Sequence, residues 1–409
     1  MLGSFLSRIK RKVPKSVKDR LRDYIPVEVW SSIRAYSYPL DLYRTDRFNF
    51  FPVCQNPPVI YTFSRNTIGN ISLMSDSLDS EYAYFVYGFT RHISKKRAKF
   101  VSRQYMSFKK EYPNYEITFV ANSSKEIERL KKNGLNCRLI NKNSFQREDQ
   151  FYIEKDEKNK YNSVINSRMA KWKRIELAKN IEKLVIVTVV EDKEYMNKIM
   201  SVMEEAEWSN FDKKGSYNYL GRGEIRKILN KSRTGLILSE SEANNKASIE
   251  YLLCGVPVVS TPSVGGRDVF FDDRYCKIVN PDPEAVRNGV EELIARDVDP
   301  EYVRERTLEK IREHRARFLE LVYDLSGGRF DASVDDWLEL FPRNMKFQCD
   351  PEHFNAFLES DYLQGRPDFV DGNKLLPEKY LRERKPDRWR SIVGSASTSK
   401  NSDVEGARS

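Results

Sequence analysis

The chain has 409 residues, which is too long for one ordinary hydrophobic core and predicts two domains with extensions. Its 40% hydrophobic and 32% charged residues are typical of a globular protein, and no window approaches the roughly 20 apolar residues that cross a bilayer. The net charge of +10 predicts attraction to an anion, whether a nucleotide diphosphate, an acidic lipid surface or nucleic acid.

The five cysteines are scattered and never form a C-x-x-C pair, which argues against a disulfide framework or a zinc site. We therefore expect a reducing, cytoplasmic compartment. The N-terminal stretch MLGSFLSRIKRKVPK lacks the apolar core and the cleavage site of a secretory signal, so export is not expected.

Residues 1–22 carry eight Lys or Arg against one acid, Asp19, with apolar residues at three- and four-residue steps. This pattern predicts a basic amphipathic helix, interrupted at Pro14. Such a helix can lie on an anionic membrane, here the inner face of the cell membrane. The alternative is a solvated helix that packs on its own protein. We assign residues 1–50 to this basic extension.

Strands and helices alternate from residue 58 onward. Three apolar runs predict strands, namely Val59 to Phe63, Tyr82 to Tyr87 and Glu116 to Ala121. Ser123 and Glu126 form the pattern of a capping box, which opens a helix that Gly134 can close. Cys137 to Ile140 predicts a further strand. Residues 51–155 are therefore assigned to an N-terminal Rossmann-like domain.

The polar stretch QREDQFYIEKDEKNKYN has no apolar period and predicts a linker. Apolar runs typical of buried parallel strands follow it, at Leu184 to Val190, Gly235 to Ser239, Val256 to Ser260 and Cys276 to Asn280. Between them lie helices, the clearest with Asp282 as N-cap and Pro283 in its first turn. Residues 156–297 are assigned to a second α/β domain.

A charged helix is predicted over Glu301 to Leu325, with its apolar residues on one side, and we expect it to pack back across the cleft between the domains. It belongs to a C-terminal helical region, residues 298–390, and the polar tail over 391–409 is expected to be disordered. The predicted fold class is α/β, with two doubly wound domains facing each other across a cleft. Ligands of such sheets bind at the carboxyl ends of the strands.

Two of the glutamates in the stretch SESEANNKASIEYLLCGVPVVSTPSVGG, Glu242 and Glu250, have seven residues between them. The predicted strand ends at Ser239 and a helix begins near Lys246 or Ala247, so Glu242 lies on the loop and Glu250 on the helix. The free N–H groups of a helix N-terminus predict an anion site here, suited to a diphosphate. Glu250 can accept two hydrogen bonds from a ribose diol.

The stretch from Leu236 to Asp268 resembles the retaining GT-B glycosyltransferases (group 1, family 4-like), whose second domain carries E-x7-E, a C-G-x-P-V-V strand and a Gly-Gly loop. The resemblance implies that Glu242 contacts the donor sugar and Glu250 the ribose. It also implies that residues 156–297 bind a nucleotide sugar and that residues 51–155 face the acceptor. The family's glycine-rich loop is here Ala243, Asn244 and Asn245. Asn tolerates the left-handed conformation, so the turn is expected to survive.

A second family feature is an Arg followed five positions later by a Lys, both directed at the donor diphosphate. NSRMAKWKR supplies Arg168 and Lys173. Fixed cations stabilise the charge that grows on a departing nucleoside diphosphate. By itself this basic cluster, which includes Lys171 and Arg174, would instead be read as a solvated face. No Asp-x-Asp element lies where a metal-dependent transferase needs one, so no metal is expected.

Weaker signals lie elsewhere. YLGRGE, with Gly221, resembles the family's loop near the nucleotide base, although Gly221 alone also suits a turn. Thr67 to Asn70 follow the first strand, where relatives have a glycine-rich loop. His92 follows a strand and can be read either as an acceptor-side base or as a surface histidine. His314 and His353 are assigned no role.

The site predicted from the sequence has two overlapping sets. The predicted catalytic residues are Glu242, Arg168 and Lys173. The predicted donor-binding residues are Arg168, Lys173, Gly221, Glu242, Asn244, Asn245, Lys246, Ala247 and Glu250.

The resemblance implies a metal-independent hexosyltransferase that moves a sugar from a nucleotide-diphospho-sugar to a hydroxyl acceptor with retention. The donor is a co-substrate, so no cofactor is expected. The acceptor would be a glycan or a lipid-linked glycan in polysaccharide or glycolipid biosynthesis. The alternatives are a non-catalytic protein that binds a membrane or polyanion on a GT-B scaffold, and a GT-B epimerase or phosphorylase. No nucleic-acid-binding signature is present, so a nucleic-acid partner is not expected.

Overall fold

The computed structural model describes residues 48–55, 57–64, 68–154, 160–212, 216–341 and 347–349, which form two α/β domains. The predicted helix over residues 1–22, Thr67, His353 and the tail over 391–409 lie outside the described residues. Within the described part, no helix has the length and apolarity that crossing a bilayer requires.

The first domain is built around a six-stranded sheet. Its order is β12-β1-β2-β3-β4-β5, with β2 to β5 parallel and both β1 pairings antiparallel. The strands are β1 Phe48–Gln55, β2 Pro58–Ser64, β3 Ala83–Phe89, β4 Tyr115–Ala121, β5 Cys137–Leu139 and β12 Phe347–Cys349. The helices are α1 Gly69–Asp76, α2 Lys95–Glu111 and α3 Ser124–Lys131.

The second domain holds a six-stranded parallel sheet of order β11-β10-β9-β6-β7-β8. Its strands are β6 Tyr161–Met169, β7 Leu184–Val190, β8 Glu207–Trp208, β9 Ser232–Ile237, β10 Val258–Ser260 and β11 Cys276–Ile278. Its helices are α4 Lys193–Val202, α5 Arg222–Asn230, α6 Lys246–Leu253 and α7 Pro283–Arg296. The strand order reverses between β6 and β9, which makes this sheet doubly wound and defines a crevice at the carboxyl ends of those two strands.

A long helix, α8 (Pro300–Leu325), joins the two domains. Val303 and Ile311 lie in the core of the second domain, whereas Phe318 and Val322 lie in the core of the first. A short helix, α9 (Trp337–Leu340), follows and also packs in the first core. Helix α8 therefore contributes to both cores, in line with the expectation that the helix over Glu301 to Leu325 packs across the cleft.

The predicted linker over QREDQFYIEKDEKNKYN packs against both the second core and α8 at its start. Phe151 is buried in the second core. Glu148 makes a two-point ion pair with the buried Arg315 of α8, at 2.6 and 2.8 Å. Because one aromatic ring and one ion pair create no sequence period, these anchors are invisible in the pattern of apolar residues.

Candidate functional site

The candidate site lies where the strand order of the second sheet reverses. The β6 strand ends at Met169 and β9 at Ile237, and the loop after β9 leads into α6. Asn245 is the N-cap of α6 because its side-chain oxygen accepts a hydrogen bond from the Ser248 N–H, at 3.1 Å. Helix N-terminus and strand ends thus meet at one edge of the sheet, as the sequence predicts.

Lys173 and Glu242 form a buried ion pair at this edge. The Lys173 ammonium donates to Oε1 of Glu242, and the side chains are only 11% and 10% exposed. Asn245 Nδ2 donates to the same Oε1 at 3.0 Å. Both contacts within the described structure use one carboxylate oxygen, so Oε2 is left for another partner. Burial lowers the pKa of Lys173, although Glu242 opposes that shift.

Glu250 lies about one turn into α6 and faces β6. Its Oε2 accepts a hydrogen bond from Asn166 Nδ2 at 2.9 Å. Burial raises the pKa of Glu250 to about 7, while the positive charges of Lys246 and Arg222 oppose the shift. The carboxyl is therefore poised to gain or lose a proton near neutral pH.

Asn166 is a site residue that sequence reasoning missed. Its backbone N–H donates to the buried Tyr251 hydroxyl at 2.6 Å, and its side chain holds Glu250. In the sequence, Asn166 is visible only as the polar residue in the middle of VINSR. Its strand has polar residues at several positions and therefore lacks the continuous apolar run of a buried strand.

The predicted basic cluster is split into three environments. Arg168 is 62% exposed at the end of β6, and its guanidinium lies 3.7 Å from Glu191. Lys171 is exposed. Arg174 is not available to a ligand, because its guanidinium donates to the Leu238 carbonyl at 2.8 Å and to the Thr261 hydroxyl at 2.7 Å.

The loop after Glu242 does not use the left-handed conformation that we expected of its asparagines. Among the described residues other than glycine, a positive φ occurs only at Arg174, Lys183 and Asp297. Asn245 has φ −123 because it caps α6. The prediction of a left-handed turn at Asn244 or Asn245 is wrong, since these side chains serve as hydrogen-bonding groups instead.

Asparagines also connect this loop to the first domain. Asn143, just after β5, donates to the Asn245 carbonyl at 3.0 Å and accepts from Asn244 at 3.2 Å. Asn141 donates to the Gly266 carbonyl at 2.7 Å. The carboxyl edge of the first sheet therefore contacts the loops that surround Glu242.

The Gly265–Gly266 turn fits between the two domains. A Cβ at Gly265 would lie 1.6 Å from the Glu242 carbonyl oxygen, and a Cβ at Gly266 would lie 2.3 Å from Cβ of Asn122. Gly265 also has φ +129, which side-chain-bearing residues rarely adopt. Glycine at position 265 therefore allows the turn to approach Glu242, and glycine at position 266 allows it to approach the first domain.

The other predicted donor residues lie at the starts of α5 and α6. Gly221 is the N-cap of α5, with its N–H donating to the Glu224 side chain at 2.6 Å. Lys246 is exposed and Ala247 is buried. Trp172, which the sequence reasoning left out, is 43% exposed and stacks against the Lys173 ammonium at 4.2 Å. In the sequence, its position next to Lys173 was the feature that could have indicated Trp172.

The pocket at the strand ends is small and partly open to solvent. Its volume is about 10 Å³, and Asn166, Lys173, Ser239 and Asn245 are among its lining residues. This is room for about one water molecule. The hydroxyl of Ser239 is buried there without a hydrogen-bond partner among the described residues.

His92, in the first domain, is held on both sides of its ring. Nδ1 lies 3.2 Å from the buried Glu126 carboxylate and Nε2 lies 3.0 Å from Arg129. Arginine can only donate, so Nε2 accepts and the proton is on Nδ1. The ring's two nitrogens are thus engaged, which fits a structural role.

The predicted capping box at Ser123 is not formed. Its hydroxyl makes no cap hydrogen bond, and Glu126 instead accepts from the N–H groups of Asn122 and Ile93 at 3.0 and 2.9 Å. Glu126 therefore joins the loops after β3 and β4. No group of three or more His, Cys, Asp or Glu suited to a metal ion occurs among the residues that the structure describes.

No protein-family model matches the sequence, and no curated protein matches it. Solved structures give distant similarities. Anabaena HepE, crystallised with UDP-glucose, is 11% identical over 63% of this chain and 82% of its own, with a TM-score of 0.46. Sucrose-phosphate synthase from Thermosynechococcus elongatus is 15% identical over 66% and 72%, with a TM-score of 0.45. A glycosyltransferase from Rickettsia africae is 16% identical over 65% and 76%, with a TM-score of 0.44.

Similarities of this size carry no argument about activity. The fold is two Rossmann-like α/β domains, and the strand order and the contacts of the two sheets define it.

Proposed function

We propose that the protein transfers a sugar from a nucleotide-diphospho-sugar to a hydroxyl acceptor, with retention and without a metal. The observation that carries the proposal is the meeting of Lys173, Glu242 and Glu250 at the strand-order reversal, beside the N-terminus of α6. Crevices of this kind are where open α/β sheets bind their ligands. The acceptor class, a glycan or lipid-linked glycan, and the retaining mechanism come from the family resemblance.

Each part of the donor would have its own partner. The exposed Arg168 and the N–H groups at the start of α6 would stabilise the departing diphosphate. The unused Oε2 of Glu242 would accept from a sugar hydroxyl. Glu250, oriented by Asn166, would accept from the ribose diol. Lys173 would exchange part of its contact with Glu242 for the diphosphate, so the ammonium is never buried without an anion.

A panel of nucleoside-diphosphate sugars tests the donor site by titration calorimetry and by slow hydrolysis. Glu250→Ala and Arg168→Ala should each weaken binding of the preferred donor by roughly tenfold to a hundredfold, since each removes a charged hydrogen bond. Matched controls are Glu291→Ala on α7 and Arg274→Ala, whose side chain is 69% exposed. These controls should bind as the parent does. Absence of binding by every nucleotide sugar, or unchanged binding by both site variants, contradicts the proposal.

The pH dependence of binding gives a second test. Because burial raises the pKa of Glu250 to about 7, the carboxylate that accepts from the diol is fully formed only above that pH. Donor affinity should therefore rise through neutral pH and then level off, and Glu250→Gln should lose this rise. An unchanged profile in Glu250→Gln would remove Glu250 from the donor site.

Attachment of residues 1–22 to an anionic membrane stays a prediction, because those residues lie outside the described part of the chain.

A further inference from the structure

Helix α2 has an unusual charge pattern for a surface helix. Over Lys95–Glu111 it carries seven Lys or Arg and one acid, Glu111. Three of the basic residues, Lys95, Lys96 and Arg97, are in its first turn, which has no acid. Positive charge there opposes the helix dipole, which favours acids at the N-terminus. The arrangement costs helix stability, so the charges call for another explanation.

The basic residues share the solvent face of α2 with one apolar side chain. The buried residues Ala98, Val101, Gln104 and Phe108 define the opposite face. At 100° per residue the solvent face consists of Lys95, Lys96, Lys99, Arg103, Met106 and Lys110, and we call this set the α2 strip. Met106 is 62% exposed. The strip is about 22 Å long and contains no acid.

Helices α7 and α8 neutralise several of their surface arginines. On α7 and α8 each of the following lies in an ion pair with a neighbouring acid: Arg287, Arg296, Arg306, Arg312 and Arg317. In contrast, Lys95, Lys96, Lys99 and Lys110 take part in no ion pair within the described structure. These four lysines therefore add positive charge to one face of α2 that no ion pair offsets among the described residues.

The strip begins at the edge of the interdomain contact. Helix α2 follows β3, whose carboxyl end lies on the same sheet edge as those of β4 and β5 because these strands are parallel. The loops after β4 and β5 hold Asn122 and Asn141, which contact Gly266 of the second domain. A surface that binds the strip would lie beside the cleft.

We propose that the α2 strip docks the protein on an anionic lipid bilayer. Charge complementarity argues for an anionic partner, and the length of the strip suits an extended surface rather than a single phosphate. Met106 in the middle of the strip favours lipid over nucleic acid, since an apolar side chain gains free energy in the acyl boundary and gains nothing from a phosphate backbone. The docking does not depend on the proposed transferase activity.

The test compares two variants of the full chain that lose the same charge. The first replaces Lys95, Lys96, Lys99 and Lys110 by Gln. The control replaces four exposed lysines of the second domain by Gln, namely Lys179, Lys193, Lys198 and Lys227. Partition coefficients are measured on phosphatidylcholine vesicles with and without phosphatidylglycerol. Each lysine near an anionic surface is worth roughly fivefold in partitioning, so the α2 variant should lose at least about tenfold and the control much less.

Met106→Ala, tested on the same vesicles, should lower partitioning a few-fold and leave binding to heparin unchanged. Circular dichroism and thermal melting check that each variant is folded. The proposal is overturned if the two lysine variants partition alike. It is also overturned if the α2 variant loses binding to heparin or RNA while its vesicle binding stays equal to the control's, which would identify a nucleic-acid surface.

Discussion

The Glu250→Gln variant should become more stable than the parent as the pH rises. The carboxyl titrates at about 7 in the native state, against an ordinary value of 4.5, because burial disfavours its charged form. Below both pKa values the carboxyl is protonated in the native and in the unfolded chain, and the neutral Gln side chain closely resembles the protonated Glu. Between them the unfolded chain loses its proton first, so stability falls as the pH rises.

The magnitude follows from the two pKa values. At about 1.4 kcal/mol per pH unit, the difference between 4.5 and about 7 amounts to roughly 3 kcal/mol above neutral pH. Since part of the side chain reaches solvent, we expect between about 1 and 3 kcal/mol. The neutral amide of Gln keeps an acceptor for Asn166, so the variant loses little at low pH.

The assay is urea unfolding of parent and Glu250→Gln at several pH values on either side of neutral, with the free energy of unfolding compared pairwise. Subtracting the parent at each pH cancels every other titrating group. The advantage of the variant should grow from pH 4.5 to pH 7 and then stay constant. A difference independent of pH would refute the argument that burial holds this carboxyl protonated.

Two further changes test the contacts around Glu242. Lys173→Met leaves the Glu242 carboxylate buried without its cation and should lower the free energy of unfolding in urea by about 3 to 5 kcal/mol. The double variant Lys173→Met with Glu242→Gln should recover much of that loss. An equal loss in the single and double variants would contradict the pairing. Gly266→Ala places a Cβ 2.3 Å from Asn122 and should part the domains, seen as a larger radius of gyration in X-ray scattering. Gly223→Ala is the control, because a Cβ at this position meets nothing within 4 Å and the alanine should stabilise α5 by about 0.5 to 1 kcal/mol. An equal radius of gyration in the two variants would contradict the close packing at Gly266.

Much of the fold is predictable because buried parallel strands appear in the sequence as continuous runs of apolar residues. The runs over Leu184 to Val190 and Glu116 to Ala121 agree with β7 and β4 to within a residue. The helix ends were marked by local chemistry as well, since Asp282 caps α7 and Gly255, at φ +70, follows α6. These signals depend on one element at a time.

Strand β6 was missed for a physical reason. Its polar residues have buried partners from other elements: Ser163 pairs with the Thr234 hydroxyl at 2.6 Å, and Asn166 contacts Glu250. A polar residue in a core is stable only when such a partner is present, and that partner comes from 70 or more positions away. The sequence pattern alone cannot reveal the partner, so no strand was predicted there.

The same limit applies to the asparagine contacts between the domains. Asn143 and Asn245 stand in stretches that suggest turns, and their mutual contact depends on how two domains meet. The ion pair of Lys173 and Glu242 was partly predictable. The family resemblance indicated both residues but not their contact with each other.

Helix α8 constrains how the chain can fold during synthesis. The core of the first domain begins at Phe50 and is completed by Phe318, Trp337 and Phe341, which emerge from the ribosome only after the whole second domain. The second domain can reach its native packing once Ile311 is made. The later-encoded domain is therefore expected to fold first, while the core of the first domain stays incomplete until the end of α8 and α9 have been made.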